Sequence, residues 1–379
     1  MFKLIGFYFK TFFKSPKNYI NIVLVGCAII GGCVMFNLRR APYEGNFSRP
    51  PLTYTVECSD EKGEKLVKLQ QEVESAFFQK EWTNYYGKAI EYYEYCYETR
   101  TGEDQGVGYK KEIERYEYLL QENVPYIDEN TSTTSLVFLK NLLNEPIVLL
   151  MLIGVLLSSA QLFSSEVENK TYKLLYTQPM SKNKIFFSKL ISIIFINFAI
   201  VISLILVCFI YQTIVKGLGS PKWLTGVALS AKDALAESTS YITLGKYVLC
   251  EMGFLAMMII FTCCLGTMVS LIINNSAASL CGATVILGLL YVLFKNKPFD
   301  VIQKFNPCAY MDIDRIMSLS PMSGLDAMLQ TNPMQLMRKG QMKSLVNLSL
   351  SSGIMILSAS IVVLVCINLF IVNKKNIAK

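Results

Sequence analysis

Six stretches of the chain are apolar for close to the ~20 residues that a helix needs to cross a bilayer. They run 19–38, 146–163, 185–211, 246–273, 277–294 and 346–372. The second and fifth are near the lower limit of length. Between the first two, over 39–145, the pattern changes. Leu66, Leu69, Val73 and Ala76 recur at helical spacing, as do Tyr86, Ile90, Tyr93 and Tyr97, and then Tyr109, Ile113, Tyr116 and Leu120. Apolar positions three and four apart mark amphipathic helices. A turn at Gly102–Gly108 separates the second set from the third, which predicts a helical hairpin. A block this long needs structure of its own. The expected fold class is an all-α polytopic membrane protein: six transmembrane helices with an extracellular, mainly helical domain between helices 1 and 2.

Composition narrows the function. Of 379 residues, 52% are hydrophobic and 17% charged, and mean hydropathy is +0.37. A soluble domain has about a quarter of its residues charged, and a disordered chain is far less apolar. Histidine is absent, which removes Ser-His-Asp and Cys-His nucleophiles and His-based zinc sites. No phosphate-binding Gly-x-x-x-x-Gly-Lys-Ser/Thr string occurs. Gly87-Lys88-Ala89 and Gly245-Lys246-Tyr247 lack the upstream glycine and the hydroxyl. The spans show no paired carboxylates, Ser/Lys dyad or metal-ligand set, so an enzyme embedded in the membrane is the weakest class.

Basic residues near span ends set orientation. Residues 1–18 hold Lys3, Lys10, Lys14 and Lys17 with no acid, and the tail 373–379 holds Lys374, Lys375 and Lys379. Both termini are expected in the cytoplasm. Residues 39–140 carry 13 basic and 19 acidic side chains, a net of −6 against +13 elsewhere, and are expected outside. Loops 212–245 and 295–345 join them by parity, although the latter has seven basic and four acidic residues. The first span reads as retained rather than as a cleaved signal. It ends in Asn37-Leu38-Arg39-Arg40, with no small-residue cleavage site. Within 1–18, lysines at near-helical spacing beside Phe2, Ile5, Phe9 and Phe12 fit an elbow helix lying in the lipid headgroups.

Several side chains are candidates for chemistry. Most of the 11 cysteines lie in spans, where Cys acts as a small apolar residue. Cys58 and Cys96 are the two in the outer block. An oxidising compartment favours a disulfide there, with two free thiols as the alternative. Tyr85, Tyr86, Tyr92, Tyr93, Tyr95 and Tyr97 read either as an aromatic core or as a peptide-binding face. Polar groups inside a bilayer are costly and mark function. Glu251, Asn197 and Asn368 are therefore candidates for a substrate path, unless Glu251 pairs with Lys246 at the interface. Ala28 and Gly32, and Ala278 and Gly282, offer small-residue packing faces, either for a second subunit or within the chain.

The loop 164–184 is the most informative. Ser165 and Glu168 have capping-box spacing. Val167, Thr171, Leu174 and Leu175 share a face, and Pro179 ends the helix because Gln178 before it is pushed out of the helical region. A helix of about three turns along the cytoplasmic membrane surface is expected.

In this loop the chain resembles permeases of bacterial ABC-2 type transporters (the type V exporter fold). Their pattern after the second span is acidic-x-acidic-x-x-Thr, then Leu, a gap, Pro, a small residue and a basic one, with a Lys opening the third span. Here it is Glu166, Glu168, Thr171, Leu174, Leu175, Pro179, Ser181, Lys182 and Lys189. A weaker likeness is Phe305-Asn306-Pro307-Cys308-Ala309-Tyr310 to an aromatic Asn-Pro motif before the last span. Two features depart: the long block 39–145, and Asn169-Lys170 where the family often has Lys-Gly. The resemblance implies a coupling helix seated on a separate ABC ATPase subunit, present in two copies. Its contact residues would be Glu166, Glu168, Asn169, Thr171, Leu174, Leu175 and Pro179. ATP and Mg would sit on that partner, and this chain would hold no cofactor or metal. A second permease, identical or different, would complete the transporter. Membrane lipid is a partner, and nucleic acid is not. Apolar spans suit a hydrophobic or amphipathic cargo, including a membrane-active antimicrobial peptide. The competing reading is a polytopic receptor or scaffold whose outer domain binds a ligand and signals to a cytoplasmic partner.

Overall fold

The computed structural model describes residues 2–14, 19–40, 61–99, 106–129, 131–143, 145–171, 181–227, 240–295, 304–311, 316–317 and 349–374. All six apolar stretches form helices long enough to cross a membrane: Tyr19–Arg40, Ile147–Glu168, Lys182–Lys216, Leu244–Ile272, Ser276–Leu293 and Leu350–Lys374. An uninterrupted apolar run has one way to satisfy its backbone in lipid, which is helix. Span three exceeds its apolar core at both ends. Polar residues from Lys182 to Lys184 and from Gln212 to Lys216 simply continue the helix.

Span four is the axis of the bundle and packs on spans two, three, five and six and on the short helix Ser135–Leu142. Small residues permit the closest approaches. A Cβ on Gly266 would strike the Ser159 side chain of span two, and one on Gly32 would lie 2.7 Å from Ile147. The Ala28/Gly32 face packs inside the chain, whereas on the other face a Cβ on Gly282 would meet Ile273 at 3.1 Å and Ala278 stays exposed. Polar side chains tie the same helices. Asn197 of span three donates to the Cys263 sulfur of span four at 3.5 Å and accepts from Ser158 of span two at 2.9 Å. Asn368 of span six donates to the Cys264 carbonyl at 3.0 Å.

Between spans one and two stand the helices Glu61–Phe78, Trp82–Thr99 and Gly106–Gln121, as the periodicity predicts. Their core is aromatic. Tyr85, Tyr86, Tyr92 and Tyr93 are at most 1% exposed. Their hydroxyls find partners inside rather than in water: Tyr85 with Tyr116 at 3.3 Å, and Tyr86 with the Val124 carbonyl at 3.0 Å. These four form a packed core, not a binding face. Cys96 is a free, buried thiol, and Cys58 lies outside the described residues.

Two features lay beyond the periodicity. Ser135–Leu142 is a buried helix. Loop 212–245 contains a two-stranded antiparallel sheet, β1 (Leu224–Val227) and β2 (Ser240–Thr243), with Leu224 opposite Thr243. The sheet receives the three-helix domain. Arg115 lies over the rings of Trp223 (5.4 Å) and Tyr241 (4.7 Å), and Glu112 holds the Tyr241 hydroxyl. Glu129 fastens the joint. It accepts from Lys140 (2.7 Å), Trp223 Nε1 (2.9 Å) and Thr225 (3.0 Å). Arg40, ending span one, donates to the Ser132 carbonyl at 2.7 Å.

Burial works against the charge of Glu129, but Lys140 and the other donors prevail and hold its carboxyl below the usual range. A depressed carboxylate contributes stability above its unfolded value of about 4.3, and that stability is lost as pH falls through the folded value. Melting temperatures should therefore separate wild type from Glu129→Gln at pH 7 and draw together as pH falls from the ordinary carboxylate value of about 4.3 through the lower folded value. A gap that persists unchanged in acid would contradict this.

Before span six, Pro307–Tyr310 is a 3-10 turn. Asn306 caps it by accepting from the Cys308 N–H at 3.0 Å and reaches back to the Leu290 carbonyl of span five at 2.6 Å. The Tyr310 hydroxyl meets Ser352 of span six. The Asn-Pro motif is thus a joint between the last two spans.

Candidate functional site

The second span does not end where its apolar run ends. Glu145–Ala160 is regular helix, Gln161–Phe163 is a turn, and Ser164–Glu168 is helical again. A break at this depth frees backbone groups that lipid cannot satisfy. Neighbouring serines satisfy them. Ser270 of span four accepts from the N–H groups of Phe163 (2.8 Å) and Ser164 (2.9 Å), and Ser279 of span five donates to the Ala160 carbonyl at 2.6 Å. Ser270 therefore occupies the role expected of the Ser165/Glu168 capping box, whose cap does not form.

The tip also stops sooner than the pattern of 164–184 suggests. Thr171 N–H bonds the Glu166 carbonyl at 3.0 Å, and Lys170 N–H bonds Val167 at 3.1 Å. This six-to-one and five-to-two pair is a Schellman stop. Lys170 takes the left-handed residue with φ 58°, the conformation glycine adopts without a Cβ penalty. The departure from Lys-Gly noted in the sequence thus falls on the position where glycine would serve best. A continuous three-turn helix through Thr171 is corrected to this short tip. Leu174, Leu175 and Pro179 lie outside the described residues.

Both acids of the motif are engaged within the chain. Glu166 forms an ion pair with Lys189 of span three, whose side chain is fully buried while that of Glu166 is 20% exposed. Lys189 Nζ also lies 4.4 Å from the Phe163 ring centre and 5.5 Å from that of Tyr8. Phe163 stacks on Phe186. Tyr8 belongs to the helix Phe2–Lys14, which packs on span three with Phe12 buried and Phe7, Phe9 and Phe13 exposed. Glu168 accepts from the N–H of Ser276 at 3.2 Å and from its hydroxyl, which places a carboxylate at the start of span five where the helix dipole favours it. The acidic pair joins the tip to span three and to span five. Glu168, Asn169, Lys170 and Thr171 still present exposed surface.

The substrate-path candidates are not one cluster. Asn197 and Asn368 reach adjacent residues of span four, Cys263 and Cys264. Glu251 is 2% exposed but lies 12 residues earlier on that helix, about 18 Å away along its axis. The partners missed from sequence were Ser270, Ser276 and Ser279. A serine in an apolar span gives only a weak signal, because it can bond its own preceding turn.

No curated protein and no solved structure matches the chain. The family model described as ABC-2 family transporter protein matches residues 59–376. Broken second span, buried Glu166–Lys189 pair and Asn-Pro joint all lie inside that match, and the chain belongs to the ABC-2 transporter family as a multi-pass membrane component that works with an ABC ATPase subunit.

Proposed function

We propose that the chain is the permease subunit of an ATP-driven exporter for a hydrophobic or amphipathic cargo, with antimicrobial peptides as one class. ATP and Mg bind a separate ATPase, present in two copies, and a second permease completes the assembly. Both termini and the span-two tip face the cytoplasm, and the tyrosine-rich domain faces outward.

One observation carries this reading. The tip of span two is broken from its own helix yet joined to span three by Glu166–Lys189 and to span five by Glu168–Ser276. A push on its exposed edge, Asn169 to Thr171, would reach three spans at once as a rigid-body displacement. Leu174, Leu175 and Pro179, which lie outside the described residues, are assigned to the same ATPase contact by the motif alone. Glu251 and Asn368 are the groups we place on the cargo path. Asn368 Oδ1 is a buried acceptor with no donor among the described residues. Asn197 is already engaged between spans two, three and four.

The test is co-purification of the ATPase in mild detergent. Lys170→Glu reverses charge on the exposed edge and should release the ATPase, whereas Glu251→Gln should retain it and change only cargo-stimulated hydrolysis. An ATPase that stays bound to Lys170→Glu places the contact elsewhere. If none binds the native chain, the outer domain would have to be studied as a receptor.

A further inference from the structure

Spans one and three run in the same direction and are locked in register near the end that carries the domain. The lock is a reciprocal amide pair. Asn37 Nδ2 donates to Gln212 Oε1 at 3.2 Å, and Gln212 Nε2 donates to Asn37 Oδ1 at 3.1 Å. Gln212 also donates to the Thr133 carbonyl at 2.6 Å. One helical turn back on each strand of this parallel pair is four residues. On span one that residue is Cys33, and on span three it is Cys208. One turn from the locked amide pair, the two thiols fall on the same contact between the spans, close enough to interact, and they are 7% and 8% exposed. The Asn37 amide additionally donates to the Cys33 sulfur at 3.7 Å.

We propose that Cys33 and Cys208 are a site of reversible oxidative modification, closing to a disulfide that bolts span one to span three. The oxidant is a small peroxide able to enter the bundle. The Cys33 sulfur attacks one oxygen of hydrogen peroxide, the O–O bond breaks, and water leaves with a sulfenic acid on Cys33. The Cys208 sulfur then attacks that sulfur, the S–O bond breaks, and a second water leaves. Two thiols lose two electrons and two protons, and the peroxide is reduced to two waters. A thiol reductant reverses the bond by exchange. The amide pair supplies what a disulfide needs, namely two sulfurs held opposite each other before reaction.

The experiment counts thiols on the full chain in isolated membranes. Samples with and without hydrogen peroxide are denatured and labelled with a maleimide-polyethylene glycol that adds mass at each free cysteine. The chain has 11 cysteines. Peroxide should remove two more labels from wild type than from Cys33→Ser or Cys208→Ser, and dithiothreitol should restore them. A bridge elsewhere, Cys58–Cys96 included, would be lost equally from all three proteins and cancels. Equal loss in wild type and both variants overturns the proposal. Should a variant fail to accumulate, mass spectrometry of oxidised wild type decides. A linked peptide pair containing Cys33 and Cys208 supports the site, and its absence with both peptides recovered free rejects it.

Discussion

Glu166→Ala is expected to lower the stability of the chain by about 3–5 kcal/mol, the cost of removing one partner from a buried ion pair. The reason lies with the partner. Lys189 is fully buried, so among the described residues the ammonium left behind would face the rings of Phe163 and Tyr8. Desolvation of an unpaired charge is the largest single penalty a substitution can impose. Set against a typical total of about 5–15 kcal/mol, the loss should appear as a large drop in melting temperature in detergent and a lower yield of folded protein. Removing both charges tests the cause. Glu166→Gln combined with Lys189→Met should regain most of the loss, because the cost belongs to the orphaned charge and not to the missing attraction. The idea fails if Glu166→Ala melts like wild type, or if the double variant is no better than the single.

The second large effect is expected at Gly266. Its missing side chain lets spans two and four touch. An added Cβ would overlap Ser159 Oγ, sit 2.9 Å from Ser159 Cβ, and sit 3.0 Å from the Ala160 backbone nitrogen. The last contact is with main chain, which cannot rotate away. Overpacking in a dense core costs about 1–3 kcal/mol and sometimes more, so Gly266→Leu should fall at or beyond the upper end. It would also pry apart the point where Ser270 and Ser279 serve the break in span two. Ser159→Gly should rescue Gly266→Leu only in part, since Ala160 N remains. Gly31→Leu is the control, because nothing lies within 4 Å of its would-be Cβ. Comparable destabilisation at both glycines would contradict the close-approach account, because helix propensity alone favours leucine over glycine at either site.

How much of this was readable in the chain differs by element. The six spans and the three domain helices follow from apolar periodicity, a local signal that survives into the fold. The motif at 164–184 was legible as residues but not as geometry. Spacing offered Ser165 and Glu168 to each other, yet Ser270, over a hundred residues away, reached the free N–H groups, and Glu168 turned to Ser276. Long-range partners of this kind leave no periodic trace. Lys189 belonged to the motif, but its burial against Glu166 depends on where the N-terminal helix packs. The strands Leu224–Val227 and Ser240–Thr243 are four residues each, too short for alternation to stand out. The aromatic domain shows the converse. Its tyrosines suggested an exposed surface or a wet core, whereas hydroxyl pairing inside the cluster allows them to be buried outright.

The rings around Tyr126 have one more consequence. The chain has two tryptophans. Trp82 stacks on Tyr126 at 5.4 Å from within the domain, and Trp223 meets the same ring edge-on at 5.5 Å from beside the sheet. All of the protein's indole emission therefore arises at the seam between domain and bundle, and none of it from the end where Glu166 and Lys189 sit. The molecule carries its own optical strain gauge at that seam. A spectral change on adding nucleotide to the assembled transporter would be a signal that had crossed the length of the bundle.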